Sequence, residues 1–165
     1  MPIPGPTIQT LQSGYPQSDL QTVMKDIVPA KHWLQSAEDP NTCAIRLSHA
    51  FNHAKVPIRA RSGVGMFKGN DDLRYIYRAD EFVDYVTALY GKPDITQTSR
   101  SHKPAEIRQA IAGSPGVLFF KLARTRKGKS VDLSAFGHAD IWDGSTVWYN
   151  PTVWDRTWHV QLWTV

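Results

Sequence analysis

The 165-residue chain has a single cysteine, Cys43, which rules out an internal disulfide and any cysteine-rich zinc cluster. No apolar run approaches the ~20 residues that a membrane helix needs, so membrane insertion is not expected. The start, Met1-Pro-Ile-Pro-Gly-Pro-Thr, has neither the basic segment nor the apolar core of a secretory signal. Repeats and low-complexity tracts are missing as well. What the chain does have is 41% hydrophobic residues, too many for a disordered polymer. Its length fits one core, a single domain over residues 1–165. Nineteen Lys and Arg against fifteen Asp and Glu give a formal charge of +4. That surplus suits an anionic partner (nucleic acid, a membrane face or a wall polymer) without choosing among them.

Residues 1–16, rich in Pro, Gly, Gln and Ser, read as an extended lead-in. Leu20, Val23, Met24 and Ile27 then follow helical spacing, with Ser18 or Asp19 as cap and Pro29 as stop. Asp39-Pro40-Asn41-Thr42 reads as a turn ending in a helix cap. Beyond it, Cys43, Leu47, Ala50, Phe51 and Ala54 share one helical face, which puts the cysteine in a first turn and toward the core. Residues 62–70 read as a Gly-rich loop, 73–78 as a strand, and 81–90 as a helix stopped at Gly91. Another helix is expected from Pro104 to Gly113. The pattern changes at Val117, where a β-branched and aromatic run to Leu122 begins. A basic loop from Arg124 to Ser130 follows it. Segments 139–142 and 145–149 flank Asp143-Gly144, a hairpin signal, and residues 158–165 form a last strand. Helices first and antiparallel strands later predict an α+β fold.

A lone cysteine on an apolar helix face is ordinarily a small buried hydrophobe. Here it sits at a helix start, where free N–H groups and the helix dipole stabilise a thiolate and can hold an oxyanion. Gly137-His138 opens a strand leading into the Asp143-Gly144 turn. Cysteine and histidine placed so form the pair that a thiol nucleophile requires, with the imidazole moving the proton. A third polar group should orient the imidazole. Folding the hairpin about Gly144 brings Asn150 opposite His138. Asp140, two residues beyond His138, lies on the same strand face and is the other candidate.

The segments Asn41-Thr-Cys-Ala-Ile-Arg-Leu-Ser-His-Ala-Phe-Asn, Val56-Pro-Ile, Tyr75-Ile-Tyr-Arg, Gly91-Lys-Pro-Asp and Gly137-His-Ala-Asp-Ile-Trp-Asp-Gly together resemble the fourth group of type VI secretion amidase effectors. They run in that family's order from residue 40 to the C-terminus. The resemblance implies a papain-like, NlpC-type fold and an antibacterial toxin that needs no signal peptide, because an injection machine delivers it. Its expected substrate is the peptidoglycan peptide stem, cut between γ-D-glutamate and meso-diaminopimelate in the periplasm of the target cell. The expected partners are the type VI machinery and a cognate immunity protein. By motif position Cys43 is the nucleophile and His138 the base. The family carries an Asp on the strand after the histidine hairpin, where this chain has Tyr149 and Asn150. The order for the third member is therefore Asn150, then Asp140, then Asp155. Some relatives also have a loop disulfide that one cysteine cannot form.

His49 and His53, one turn apart, could bind zinc, but no third ligand accompanies them and an exposed polar face is the plainer reading. No cofactor is expected. The basic stretch from Arg124 lacks any nucleic-acid motif, so a solvated loop or a contact with an acidic wall or immunity protein is preferred. Of six Trp, five follow residue 140 and read mainly as core. Arg46 is either a carboxylate binder or a member of a structural ion pair. Two other functions remain open: a papain-like hydrolase of another amide, and a non-enzymatic module for anionic polymers.

Overall fold

The computed structural model describes residues 3–99 and 103–165; the side chains of Thr125, Arg126, Ser130 and Val131 lie outside that description. The N-terminal segment is not the extended lead-in that its composition suggests. Residues Ile8–Gly14 form α1, started by a capping box in which Thr7 and Thr10 each accept the other's backbone N–H. Leu11 is fully buried and Ile3 donates its N–H to the Thr164 carbonyl at 2.8 Å, so the segment is part of the core. Gly14 explains how close α1 comes to the next long helix, because a Cβ there would stand 3.0 Å from the Ala50 Cα.

Helix α2 (Leu20–Ile27) is capped by Asp19, whose Oδ1 accepts the Thr22 N–H at 2.8 Å. A 3-10 turn at Trp33–Ser36 leads to α3 (Cys43–His53), which begins on the cysteine as its periodicity predicts. The stretch read as a Gly-rich loop contains a short strand, β1 (Met66–Lys68), paired antiparallel with β2 (Arg74–Ile76). Three residues are too few to show an alternating pattern in sequence. Helix α4 (Ala79–Tyr90) stops at Gly91 in a positive-φ conformation. The strand β3 (Ile95–Thr98) was not foreseen, and α5 (Pro104–Ile111) starts on its proline. Then come β4 (Gly116–Arg126), β5 (Lys129–Trp142), a 3-10 helix at Pro151–Arg156, and β6 (Thr157–Thr164).

The main sheet is antiparallel in the order β3-β6-β4-β5, so the fold is α+β with β5 at an edge. Two expectations about turns are corrected. The basic stretch is mostly strand: β4 and β5 continue through it and reverse at Lys127-Gly128, both at positive φ (50° and 71°). That is the conformation of a two-residue hairpin turn. The Asp143-Gly144 signal, in contrast, makes no strand pair beyond a single bridge between Trp142 and Val147. The Asp143 carboxylate instead accepts the N–H groups of Ser145 and Thr146, both at 2.7 Å, and curls the chain into a loop. His138 consequently lies well inside β5, not at the head of a strand.

Alternation along the strands divides the core. Val117, Phe119, Ala139, Ile141 and Trp163 face α1, α3 and α4. Leu118, Phe120, Trp142, Val160 and Leu162 face α5 and the 3-10 helix. By the same alternation His138 and Asp140 share the second face, opposite Phe120 and Leu118. β6 lies tight against Gly116 of β4, where a Cβ would run into the Trp163 carbonyl and stand 2.9 Å from the Thr164 Cα. Gly116→Ala should therefore lower the unfolding free energy by about 1–3 kcal/mol, the range for overpacking. Urea unfolding measures this, and an unchanged midpoint would show that the two strands yield without cost.

Candidate active site

Cys43 is the first residue of α3, with 5% of its surface exposed. The start of that helix is built differently from the expected Thr42 cap. Thr42 makes no side-chain cap; its hydroxyl accepts from Arg46 Nε at 3.0 Å. The cap comes from Asn41, whose Oδ1 accepts the Cys43 N–H at 3.1 Å. The expected oxyanion donor, the Cys43 N–H, is thus engaged in this structure.

His138 is buried near Cys43, close enough for the cysteine sulfur to act on the charge of its imidazole. On its other side, Nε2 meets Asp140 Oδ2 at 3.0 Å, which leaves Nδ1 for the sulfur. Asp140 is fully buried. Its Oδ1 accepts the N–H groups of Ile141 (2.8 Å) and Tyr149 (3.1 Å), and its Oδ2 accepts that of Asn150 (3.0 Å). Three backbone donors and one imidazole thus satisfy the buried carboxylate, and among the described residues no lysine or arginine contacts it.

The structure places the Asp140 side chain, and not that of Asn150, against His138. Asn150 comes to Asp140 through its backbone N–H, while its side-chain Oδ1 accepts the Thr152 hydroxyl at 2.8 Å. The physical reason is the loop after Asp143: without a second strand, the Asn150 side chain does not line up across from His138. Asp140 reaches His138 because residues two apart on a strand share a face. Asp155 lies exposed on the second 3-10 helix and makes no bond to His138.

Sequence reading missed how much of the site comes from elsewhere. Arg46, fully buried, makes no ion pair with an acidic side chain among the described residues. Its Nη1 donates to the carbonyls of Pro16 and Ser18, each at 2.7 Å, and its guanidinium lies 4.2 Å over the Tyr149 ring. Tyr15 stands 5.9 Å from the same ring, and its buried hydroxyl has no hydrogen-bond partner among the described residues. Trp148 and Tyr149 remain partly exposed at the rim, whereas Trp142, Trp154, Trp158 and Trp163 are core. His49 is half-buried against the Gly14 carbonyl (2.6 Å) and stacks on His53 at 3.9 Å, while His53 itself is exposed. Among the described residues no group of three or more His, Cys, Asp or Glu is arranged to hold a metal. Among them, too, no helix is long and apolar enough to cross a membrane.

The surroundings of His138 favour its charged form. Burial pushes the His138 imidazole down, but hydrogen bonds to the Asp140 carboxylate and the Cys43 sulfur, with the charges of both, outweigh it and hold the group at about 9. The Tyr15 hydroxyl is pushed well up by burial first, and then by the charges of Asp140 and Cys43, so it keeps its proton.

Comparison with known proteins gives a consistent picture. The family model described as "Type VI secretion system (T6SS), amidase effector protein 4" matches residues 40–163. No curated protein sequence matches. Among solved structures, the type VI effector Tae4 from Enterobacter cloacae is similar with a TM-score of 0.79 at 21% identity, over 100% of this chain and 99% of that one. The Tae4–Tai4 effector-immunity complex from Salmonella Typhimurium gives 0.77 at 22% identity, over 97% and 98%. The corresponding complex from Enterobacter cloacae gives 0.76 at 21%, over 97% and 98%. At this level of identity the likeness concerns the fold, which is the papain-like, NlpC-type α+β fold.

The His138 proton provides a direct check. The folded state binds it more tightly than the unfolded chain, whose imidazole titrates near 6.5. Its contribution to stability is therefore fully present below about 6.5 and lost as pH rises through about 9. Proton NMR of the imidazole should show titration near 9, moving to lower pH in Asp140→Asn and in Cys43→Ala. An unchanged titration in both variants would contradict the assigned partners.

Proposed function

The chain belongs to the type VI secretion system amidase effector protein 4 family, and from that premise we propose that Cys43, His138 and Asp140 hydrolyse the peptide stem of peptidoglycan. The observation that carries this reading is the position of one imidazole, His138, between a sulfur at a helix N-terminus and a carboxylate fixed by three backbone N–H groups.

The geometry supports the following roles. The Cys43 thiolate, paired with the His138 imidazolium and aided by the α3 dipole, attacks the amide carbonyl. The C–N bond breaks as His138 delivers its proton to the departing amine, leaving an acyl thioester on Cys43. His138 then takes a proton from water, whose oxygen attacks the thioester carbonyl, and the thiolate leaves. Asp140 stabilises the cationic imidazole and holds Nδ1 toward the sulfur throughout.

The bond cut is that between γ-D-glutamate and meso-diaminopimelate, as the family resemblance implies. An amidase effector delivered by a type VI machine meets this substrate in the periplasm of the target cell. A producing cell would also need protection. The similar effectors from Enterobacter cloacae and Salmonella Typhimurium were solved with immunity proteins, which supports an immunity partner for this chain too. The partly exposed Trp148 and Tyr149 give such a partner, or the stem itself, an aromatic rim beside Asp140.

Incubation with purified sacculi of a Gram-negative bacterium tests the reading. The wild-type protein should release muropeptides whose masses place the cut after γ-D-glutamate, and Cys43→Ala should release none while keeping its thermal midpoint. Full activity of the folded Cys43→Ala protein would sink the nucleophile assignment. A different cleaved bond would instead correct the substrate.

A further inference from the structure

Asn41 joins two parts of the site that are far apart in the chain. Its Oδ1 accepts the N–H of Cys43 at 3.1 Å. Its Nδ2 donates to the carbonyl of Gly137, 96 residues away, at 2.8 Å. Gly137 is bonded directly to His138. One side chain therefore ties the backbone of the thiol residue to the backbone beside the imidazole. Spanning both backbone groups takes a donor and an acceptor on separate atoms: ionised Asp has acceptors alone, and Ser has one short hydroxyl.

We propose that Asn41 is the positioning residue that sets the distance between sulfur and imidazole, and that an amide is required there because it caps α3 without placing a charge beside the thiolate. This rests on the reading of Cys43 and His138 as nucleophile and base.

Two observations beyond the bonds themselves favour it. Asn41 is exposed, so the cost of burying a polar group does not account for its bonds. Moreover, the neighbouring hydroxyl that normally caps such a helix, that of Thr42, is turned onto Arg46 Nε. As a helix cap alone, Asp would serve about as well as Asn and would interact favourably with the helix dipole. It would also set a negative charge two residues from a sulfur that must ionise, and it would turn an oxygen toward the Gly137 carbonyl in place of a donor. A cap and a positioning residue thus predict opposite results for the same substitution.

The experiment compares wild-type protein, Asn41→Asp and Asn41→Ala by thermal unfolding, by the rate of Cys43 alkylation with iodoacetamide near neutral pH, and by kcat and KM on a muropeptide containing the γ-D-glutamyl–diaminopimelate bond. Asn41→Asp should keep the wild-type midpoint yet lose roughly tenfold or more in both alkylation rate and kcat with KM little changed, as expected when reacting groups are misplaced. Asn41→Ala should lose reactivity similarly and also melt earlier. Alkylation and kcat within about twofold of wild type in Asn41→Asp would overturn the proposal, and this variant decides alone if Asn41→Ala does not fold. Wild-type Cys43 that alkylates no faster than in the urea-unfolded chain would instead refute the nucleophile reading on which the proposal depends.

Discussion

Everything in the site leans on the Asp140 carboxylate and the way it is held. A buried carboxylate is costly unless its oxygens are satisfied, and here Ile141, Tyr149 and Asn150 each give it a backbone N–H. Because those donors are neutral, the negative charge is not cancelled and remains available to the imidazole of His138. The imidazole in turn can stay cationic inside the protein, against the push of burial. Substituting a lysine or arginine for these neutral donors would satisfy the carboxylate equally well and deprive His138 of its counter-ion.

That arrangement requires a peculiar use of the chain after β5. The turn at Asp143 does not return as a strand; its carboxylate gathers the next N–H groups into a loop. The loop brings residues 149 and 150 back alongside β5 with their N–H groups toward Asp140. Had a regular hairpin formed, those N–H groups would be committed to ladder bonds or turned outward. The absence of a family-type Asp in the 149–150 window is met by this loop. The carboxylate comes from within β5, and the window supplies its hydrogen-bond donors.

Much of this was legible in the sequence, and the failures have common causes. The helix that starts at Cys43 could be read because its apolar positions repeat at helical spacing and nothing tertiary contradicts them. Asp140 was legible as a same-face neighbour of His138 because period two is a local property of any strand. Asn150 was ranked above it on the assumption that Asp143-Gly144 makes a hairpin, and a side chain of the turn itself defeated that. The α1 helix was hidden by a composition of Pro, Gln and Ser, although Thr7 and Thr10 are spaced as a capping pair. The bonds of Asn41 and Arg46 were out of reach, since each joins segments whose proximity exists only after the sheet and α3 have packed.

Seen from the fold, the N-terminal segment is a wall of the site and not a leader to it. Arg46, one turn into α3, could have sought Asp140, which would have paired the two buried charges and neutralised the very carboxylate that His138 needs. Its Nε donates instead to Thr42 and its Nη1 to the carbonyls of Pro16 and Ser18, while Nη2 has no partner among the described residues. Tyr149 stands between the two charges, its ring against the guanidinium and its N–H on the carboxylate. The strap of residues 15–18 thus has an electrostatic purpose as well as a packing one. With Nε and Nη1 held there, the guanidinium lies against the Tyr149 ring, and the side chain bonded to the Asp140 carboxylate is that of His138.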